Sequence, residues 1–417
     1  MGKLRVAKMD TDFSPRSPNK KSEEILLSTK HPPMMTSLIP LIRKQIDFCN
    51  LLAIIPFEWD VAKGRLRLLE SPVKLMACKI QIGIHVAYTT LIFAYFLSPQ
   101  NLSSIPNSTR MMGLTFLVCF GATMLMRLTI WNMKTDVVHL FNNYLFFEET
   151  YLPACPRGYE GDKVSKIMMT LGFLTSVGLP GFIAAMLLVN PCQAPHIGYI
   201  LFREGPSGCA VPGWPVRLTF LIFDTWTWVN CISSAIFSGF QVFFPGMKCL
   251  CFYIHLILEI YAANGVTTPA QDGFCFRVYQ HLRVLGKLFN FCLQSVFIPT
   301  QITAGCMVLI IGLYTCVKLH AQIAMPGFAF FPLISCDGLA IIFITQVAAG
   351  VYTSSSKLVK KARRSRRYGR NAWFRKMVRA THFIKIRFGS TNFIDQMTPL
   401  VYLNFCLTQT VSLVLLS

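Results

Sequence analysis

The stretch KLVKKARRSRRYGR, Lys357–Arg370, holds eight Lys or Arg residues and no acidic residue in fourteen positions. Read alone, it fits a nucleic-acid patch or a loop lying against a membrane surface, and the choice between them decides the fold. The rest of the chain makes that choice. Of 417 residues, 53% are hydrophobic and only 14% are charged, and the mean hydropathy is +0.48. A soluble domain carries about a quarter charged residues. So much apolar material has to face lipid. The charge is also lopsided, with 40 basic against 19 acidic residues and a net of +21. Most of the excess falls in two blocks, Met1–Lys74 and Tyr352–Met397.

Outward from the basic run, the chain reads as seven apolar spans: Leu75–Leu97, Met111–Trp131, Lys166–Val189, Val216–Phe240, Leu293–Val317, Gly327–Val351 and Thr398–Ser417. Each approaches the ~20 residues that cross about 30 Å of hydrocarbon at 1.5 Å per residue. Apolar residues continue past Pro245 through Ile260, which we read as a helix leaving the membrane on one side. The fold class is therefore an all-α membrane protein. Its expected parts are a basic cytosolic N-terminal region (1–74), a bundle of six spans (75–351), a basic cytosolic loop and helix (352–397) and a terminal span (398–417). The first region is long, polar and basic, and is expected to carry no cleaved leader.

Orientation follows from the cations. With the N-terminus in the cytosol, 33 Lys and Arg residues fall on the inner side and three (Arg110, Arg203 and Lys318) on the outer side, a strong positive-inside bias. Both N-x-S/T sequons, at Asn101 and Asn107, fall in the first loop assigned outside. The basic run is thus expected to lie in a cytosolic loop against an anionic inner leaflet, with no nucleic acid as partner. An inside N-terminus and seven spans end the chain outside, the reverse of G-protein-coupled receptors.

Among the fifteen cysteines, Cys192 and Cys209 share an outside loop. They form either a bridge, which would stabilise the loop by about 3 kcal/mol on a loop-entropy model, or two free thiols. The pair in KCLCFY at Lys248 has no second cysteine pair beside it, and a lone C-x-C is a weak signal, so no metal is expected. No nucleophile elbow, phosphate-binding loop or zinc-protease motif occurs, and neither an enzyme nor a cofactor is expected.

Ionisable residues within spans are costly and mark function or pairing. Asp337 lies near the middle of span six, and we read it as functional or paired inside the bundle. Asp224 lies in the outer third of span four. Arg127, near the inner end of span two, reads as snorkelling to the headgroups. Aromatics gather in the outer halves of spans: Tyr88 with Phe93, Trp226 with Trp228, and Phe328 with Phe330 and Phe331. Together with Asp224 they read as a pocket for a small organic molecule, the bland alternative being an interfacial belt and ordinary packing.

The end of the chain, WFRKMVRATHFIKIRFGSTNFIDQMTPLVYLNFCLTQTVSLVLLS from Trp373, sets an amphipathic basic helix before Gly389, a short polar stretch and an apolar helix. This arrangement resembles the arthropod gustatory and odorant receptor superfamily, whose last helix is split into cytosolic and membrane parts. FEWD at Phe57 and MPGFAFFPL at Met325 resemble springtail members of that group. Where family members carry a Thr-Tyr pair and a later Gln, this chain has Gln409-Thr410 and Leu416. The resemblance implies a homotetrameric or heterotetrameric ligand-gated cation channel in the plasma membrane, with a small-molecule ligand and the last helices around the pore. On that reading one helix face carries Tyr402, Cys406, Gln409, Leu413 and Leu416. Gln409 would meet the ion, and the two leucines would form a constriction that closes by dewetting. A secondary transporter would show inverted repeats; Pro180, Pro299 and Pro332 interrupt spans three, five and six, but no matched halves are evident. A non-conducting multispan protein is the other alternative, and ion flux on ligand addition separates a channel from both.

The sequons yield a first prediction. Asn101 and Asn107 carry glycans, so Asn→Gln at both removes the mobility shift produced by endoglycosidase, while an N-terminal tag in sealed vesicles resists external protease. A tag digested from outside would overturn the orientation.

Overall fold

The computed structural model describes residues 33–98, 105–152, 163–204, 208–209, 213–263, 269–323, 325, 327–365, 368–369 and 371–416. Seven of its helices are long and apolar enough to cross a membrane, one for each predicted span. In chain order they are α2 (Pro72–Leu97), α3 (Asn107–Asn132), α5 (Lys163–Val189), α7 (Trp214–Ile236), α10 (Phe297–Lys318), α11 (Phe330–Arg364) and α13 (Thr398–Leu416). Between them stand α1 (Met34–Leu51), α4 (Lys134–Tyr151), α6 (Ile197–Phe202), α8 (Phe244–Ala263), α9 (Pro269–Leu293) and α12 (Ala372–Ala380). Asn107 is exposed at the start of α3, and Asn101 lies outside the described residues.

Two helices overrun the bilayer. A π-helical stretch, Phe237–Phe243, joins α7 to α8, making one continuous helix of 48 residues, Trp214–Tyr261. At 1.5 Å per residue that is about 72 Å, more than twice the hydrocarbon thickness. The wider turn precedes Pro245, whose ring cannot supply a helical N–H. The segment Gly327–Arg364 spans 38 residues and overruns likewise. These extensions, with α1, α4, α9 and α12, enclose one hydrophobic core at the end of the bundle that carries the basic blocks. A second core fills the far half of the spans.

The basic run is the end of α11. Leu358, Val359 and Ala362 are buried in the core, while Lys357, Lys360, Lys361, Arg363 and Arg364 are exposed. Arg366, Arg367 and Arg370 lie outside the described residues. Within the bundle, small residues bring helices together. A Cβ on Gly338 of α11 would stand 2.9 Å from the Gly305 carbonyl oxygen of α10, a close backbone approach of the kind that packs helices in lipid.

Residues 34–68 depart from the expected polar tail. Met34, Met35, Leu38, Ile42, Ile46 and Cys49 bury one face of α1 in the basic-end core. Spacing of three and four residues makes that face, but Arg43, Lys44 and Asp47 on the other side hide it in an average over the region. FEWD forms β1 (Phe57–Asp60), which pairs antiparallel with β2 (Arg65–Leu68). Gly64 takes the positive φ of the turn at +61°.

The start of α1 is capped from a distance. Pro33 at its N-cap offers no side-chain bond. Instead the Glu148 carboxylate of α4 accepts from Met35 N–H at 2.6 Å, Thr36 N–H at 2.9 Å, the Thr36 hydroxyl at 2.7 Å and the Tyr253 hydroxyl at 2.7 Å. It satisfies two of the orphan donors of the first turn and meets the positive end of the helix dipole. Burial pushes Glu148 above the ordinary carboxylate range, against the pull of these donors.

Glu148→Ala would strand buried donors on α1 and α8, at a cost of at least about 3 kcal/mol. The expected result is a lowered melting temperature in detergent and faster proteolysis near Met34. Glu148→Gln, which keeps an acceptor, should lose less. Equal stability of all three proteins would remove this carboxylate as the anchor of α1.

Candidate functional site

At the far half of the bundle, five elements bring aromatic and polar side chains together. Tyr88 comes from α2, Phe116 and Phe120 from α3, His196 from the loop before α6, Asp224 and Trp228 from α7, and Phe330 and Phe331 from α11. All are buried. Asp224 and Trp228 stand four residues apart, one turn on the same helix face.

Rings meet edge to face around Phe116 and Phe120. Trp228 lies 4.7 Å from Phe116 and 4.9 Å from Phe120, at 85° and 71°. Phe330 lies 5.0 Å and His196 5.2 Å from Phe116. Tyr88 lies 5.2 Å from Phe120. Such pairs favour offset and perpendicular contacts because ring edges are positive and faces negative. Phe331 is fully buried next to Phe330.

Asp224 is the charge within this apolar cluster. Its Oδ1 accepts the Tyr88 hydroxyl at 2.7 Å, and its Oδ2 accepts the Ile197 N–H at 3.3 Å. Nδ1 of His196 lies 3.8 Å from Oδ2, beyond hydrogen-bond reach. Burial lowers the pKa of that loop histidine to about 3, so the ring is neutral at physiological pH. Both of its nitrogens, and Nε1 of Trp228, have no hydrogen-bond partner among the described residues. Asp224 also lines a cavity of about 140 Å³ between the end of α5, at Leu187 and Val189, and the first turns of α7, at Trp214, Arg217 and Leu218. The site therefore combines an aromatic wall, a hydrogen-bonded carboxylate and buried N–H groups beside a cavity. Of the clustered residues Asp224 alone lines the cavity, whose other walls are mostly apolar; the aromatic rings of the cluster pack behind it.

Several expectations need correction. Trp226 is half-buried and turned to another face of α7, near Phe223 at 6.1 Å. Adjacent tryptophans in sequence cannot share a face when two residues turn the helix by about 200°. Phe93 is exposed. Asp337, read as functional or paired inside the bundle, is exposed on α11 and has no hydrogen bond or ion pair among the described residues. Arg127, read as snorkelling, is instead 5% exposed. Sequence reasoning missed Phe116, Phe120 and His196. The two phenylalanines are four residues apart on one face of span two, which was a legible signal; a single loop histidine carried none.

The last helix is the second candidate. Only Pro399, Cys406 and Thr410 of α13 are buried, on the side packed against α10 and α11. Cys406, expected in the pore, is fully buried with its Sγ 3.8 Å from the Cys306 carbonyl oxygen of α10. Tyr402 is half-buried beside it. The expected stripe thus turns partly into its own subunit. Gln409, Leu413 and Leu416 are exposed, as are Asn404 and Thr408. Cys192 is disulfide-bonded; Cys209 lies in the two-residue strand Gly208–Cys209, and its side chain is outside the described residues.

These features define a seven-helix membrane protein with a second helical core outside the bilayer, its last helix split into a basic amphipathic part and an apolar part. No protein-family model matches the chain, and no curated protein does. Solved structures share the fold, two of them of one insect receptor. One is the insect olfactory receptor OR5 from Machilis hrabei in complex with eugenol, at a TM-score of 0.61 and 14% identity, covering 91% of this chain and 100% of that one. The other is a further structure of that receptor, at a TM-score of 0.58 with the same identity and coverage.

Asp224 and Tyr88 yield a test of the site's polar centre. Tyr88→Phe leaves a buried carboxyl oxygen without its donor and should cost about 1–3 kcal/mol of stability. In a double-mutant cycle by thermal unfolding, Tyr88→Phe in an Asp224→Asn background should cost clearly less. Strict additivity would mean that the 2.7 Å contact carries no energy.

Proposed function

We propose that this chain is a chemosensory receptor of the arthropod odorant and gustatory type, working as a ligand-gated, non-selective cation channel in the plasma membrane. The observation that carries the reading is the end-to-end likeness of fold to an insect olfactory receptor solved with eugenol. Four copies, identical or mixed, surround a pore formed by α13. The exposure of most of that helix in the single chain supports such an assembly. The N-terminus and basic blocks are cytosolic and the far end extracellular, in keeping with the charge bias. The exposed cations of α11 then face the anionic inner leaflet. Cys192 bridges to Cys209 in the outer loop.

The ligand is a small organic molecule that enters beside Asp224 and packs against Tyr88, Trp228, Phe330 and Phe331. Its binding energy opens the pore only to the extent that it prefers the open arrangement. The conduit is lined by Gln409, which is exposed on the same helix face as Leu413 and Leu416. Leu413 and Leu416 close it at the outer end, because an ion crossing a ring of leucines must give up its hydration. Cys406 takes no part in the conduit.

Leu413→Ser should wet the ring and raise basal cation current severalfold in cells that express the protein at unchanged surface level. Gln409→Ala should shift ion selectivity more than ligand sensitivity, and Cys406→Ser should change neither. An unchanged basal current in Leu413→Ser, alongside a ligand response in the parent protein, would remove Leu413 from the gate.

A further inference from the structure

Arg127 is a buried cation without a counter-charge. Its Nη2 donates to the Ile54 carbonyl oxygen at 3.0 Å and to Oε1 of Gln81 at 3.4 Å. Nε and Nη1 are buried with no partner. Among the described residues no carboxylate pairs with it. A guanidinium taken out of water without an anion is strongly disfavoured, and its planar fork is shaped to hold two oxygens of a carboxylate or phosphate.

Beside the guanidinium lies a crevice of about 10 Å³, lined by Ile55, Pro56, Ile82, Trp131, Phe237 and Ser238. That is the room of about one water-sized group. It admits one oxygen atom of a larger anion and leaves the remainder outside. Ile82 and Trp131 are the lining residues that reach the surface. Two further cations flank them. The Lys134 ammonium sits 4.6 Å over the Trp131 ring, and exposed Lys79 lies one turn before Ile82 on α2. Asp136, the nearest acid in sequence, stands near Cys292 of α9 instead. Arg127 is five residues from the end of α3 at Asn132, about 8 Å along the axis. That depth borders the headgroups at the basic end of the bundle.

We infer that Arg127 receives a phosphate oxygen of an anionic lipid from the leaflet at the basic end, with the headgroup held over the crevice by Lys79 and Lys134. The site joins four parts of the fold: the turn after α1 through Ile54, α2 through Gln81, α3 through Arg127, and the π-helical stretch of α7–α8 through Ser238. An occupant there ties the N-terminal helix to the spans. The inference rests on the membrane fold and on this geometry, not on channel activity.

The test uses the full chain purified in detergent, stripped of lipid and titrated with dioleoyl phosphatidylserine, dioleoyl phosphatidylcholine or sodium phosphate. Native mass spectrometry counts bound lipid, and thermal unfolding reads its effect. The expected result is one tightly held phosphatidylserine per chain and a rise in melting temperature of several degrees. Phosphatidylcholine should bind more weakly, and sodium phosphate should produce little shift. Arg127→Gln should lose the tight lipid and the shift. The double variant Lys79→Gln/Lys134→Gln leaves the buried residues intact and should weaken binding about tenfold. Where Arg127→Gln does not fold, the double variant decides. Undiminished phosphatidylserine binding in the double variant, or in a folded Arg127→Gln, would overturn the site. Equal binding of phosphatidylcholine would overturn its preference for net negative charge. A full shift from sodium phosphate alone would assign the crevice to a soluble anion and overturn the lipid.

Discussion

Hydrocarbon offers the backbone no hydrogen-bond partner, so a chain that crosses it as helices must keep them closed throughout. That constraint accounts for the long, nearly uninterrupted elements of this protein. Around Pro245 the helix widens into a π-helical stretch instead of breaking, keeping the 48 residues from Trp214 to Tyr261 continuous. A helix so long leaves the bilayer with most of its apolar second half still to bury. The basic-end core is the result: α8, α9, the end of α11 and α1 cover one another where lipid cannot.

That second core also positions the last helix. The extended segment after α12 is held by side chains of α9 and α11. Asn290 donates to the Lys385 carbonyl at 2.8 Å and accepts the Arg387 N–H at 2.9 Å. Ser355 accepts the Ile384 N–H at 2.8 Å. The Gly389 N–H, at a positive φ of +65°, donates to the Gln294 carbonyl at 2.7 Å. Asp395 then closes the first turn of α13, accepting from the Thr398 hydroxyl and N–H at 2.7 and 3.0 Å; these bonds hold its carboxyl below the usual range. The start of α13 is thus fixed by the basic-end core, while along its length one side packs against α10 and α11 and the other faces are exposed in the single chain. A helix held at its start and along one side, with its other faces exposed, is suited to line something formed by several copies, as the proposed function requires.

The far half of the bundle has a different character. Its aromatic rings interlock around the polar groups of Asp224, His196 and Trp228. Asp224 is held by two donors, so the carboxylate is fixed in place while the N–H groups of His196 and Trp228 lie close by. On the proposed function, this is the end where a ligand alters packing without disturbing the core that holds the chain together.

Much of this architecture was legible before any coordinates. Seven runs of apolar residues, each long enough to cross a bilayer, determine seven spans, and the overrun past Pro245 was visible as continued hydrophobicity. The split last helix was marked by Trp373, Gly389 and Thr398, whereas the run at Lys357–Arg364, expected in a loop, is the last part of the helix Phe330–Arg364. Hydrophobicity and helical period are local quantities and can be summed along a chain. What they omit is the neighbour each face meets. Cys406 and Gln409 lie on nearly the same side of one helix, yet one packs against Cys306 and the other is exposed. Asp337 is exposed and Arg127 buried, the reverse of what was expected, because depth along a span follows from position in sequence while burial follows from which helices pack around it. The helix Met34–Leu51 was hidden by its charged face, and only the Glu148 carboxylate, more than a hundred residues away, draws its first turn into the core.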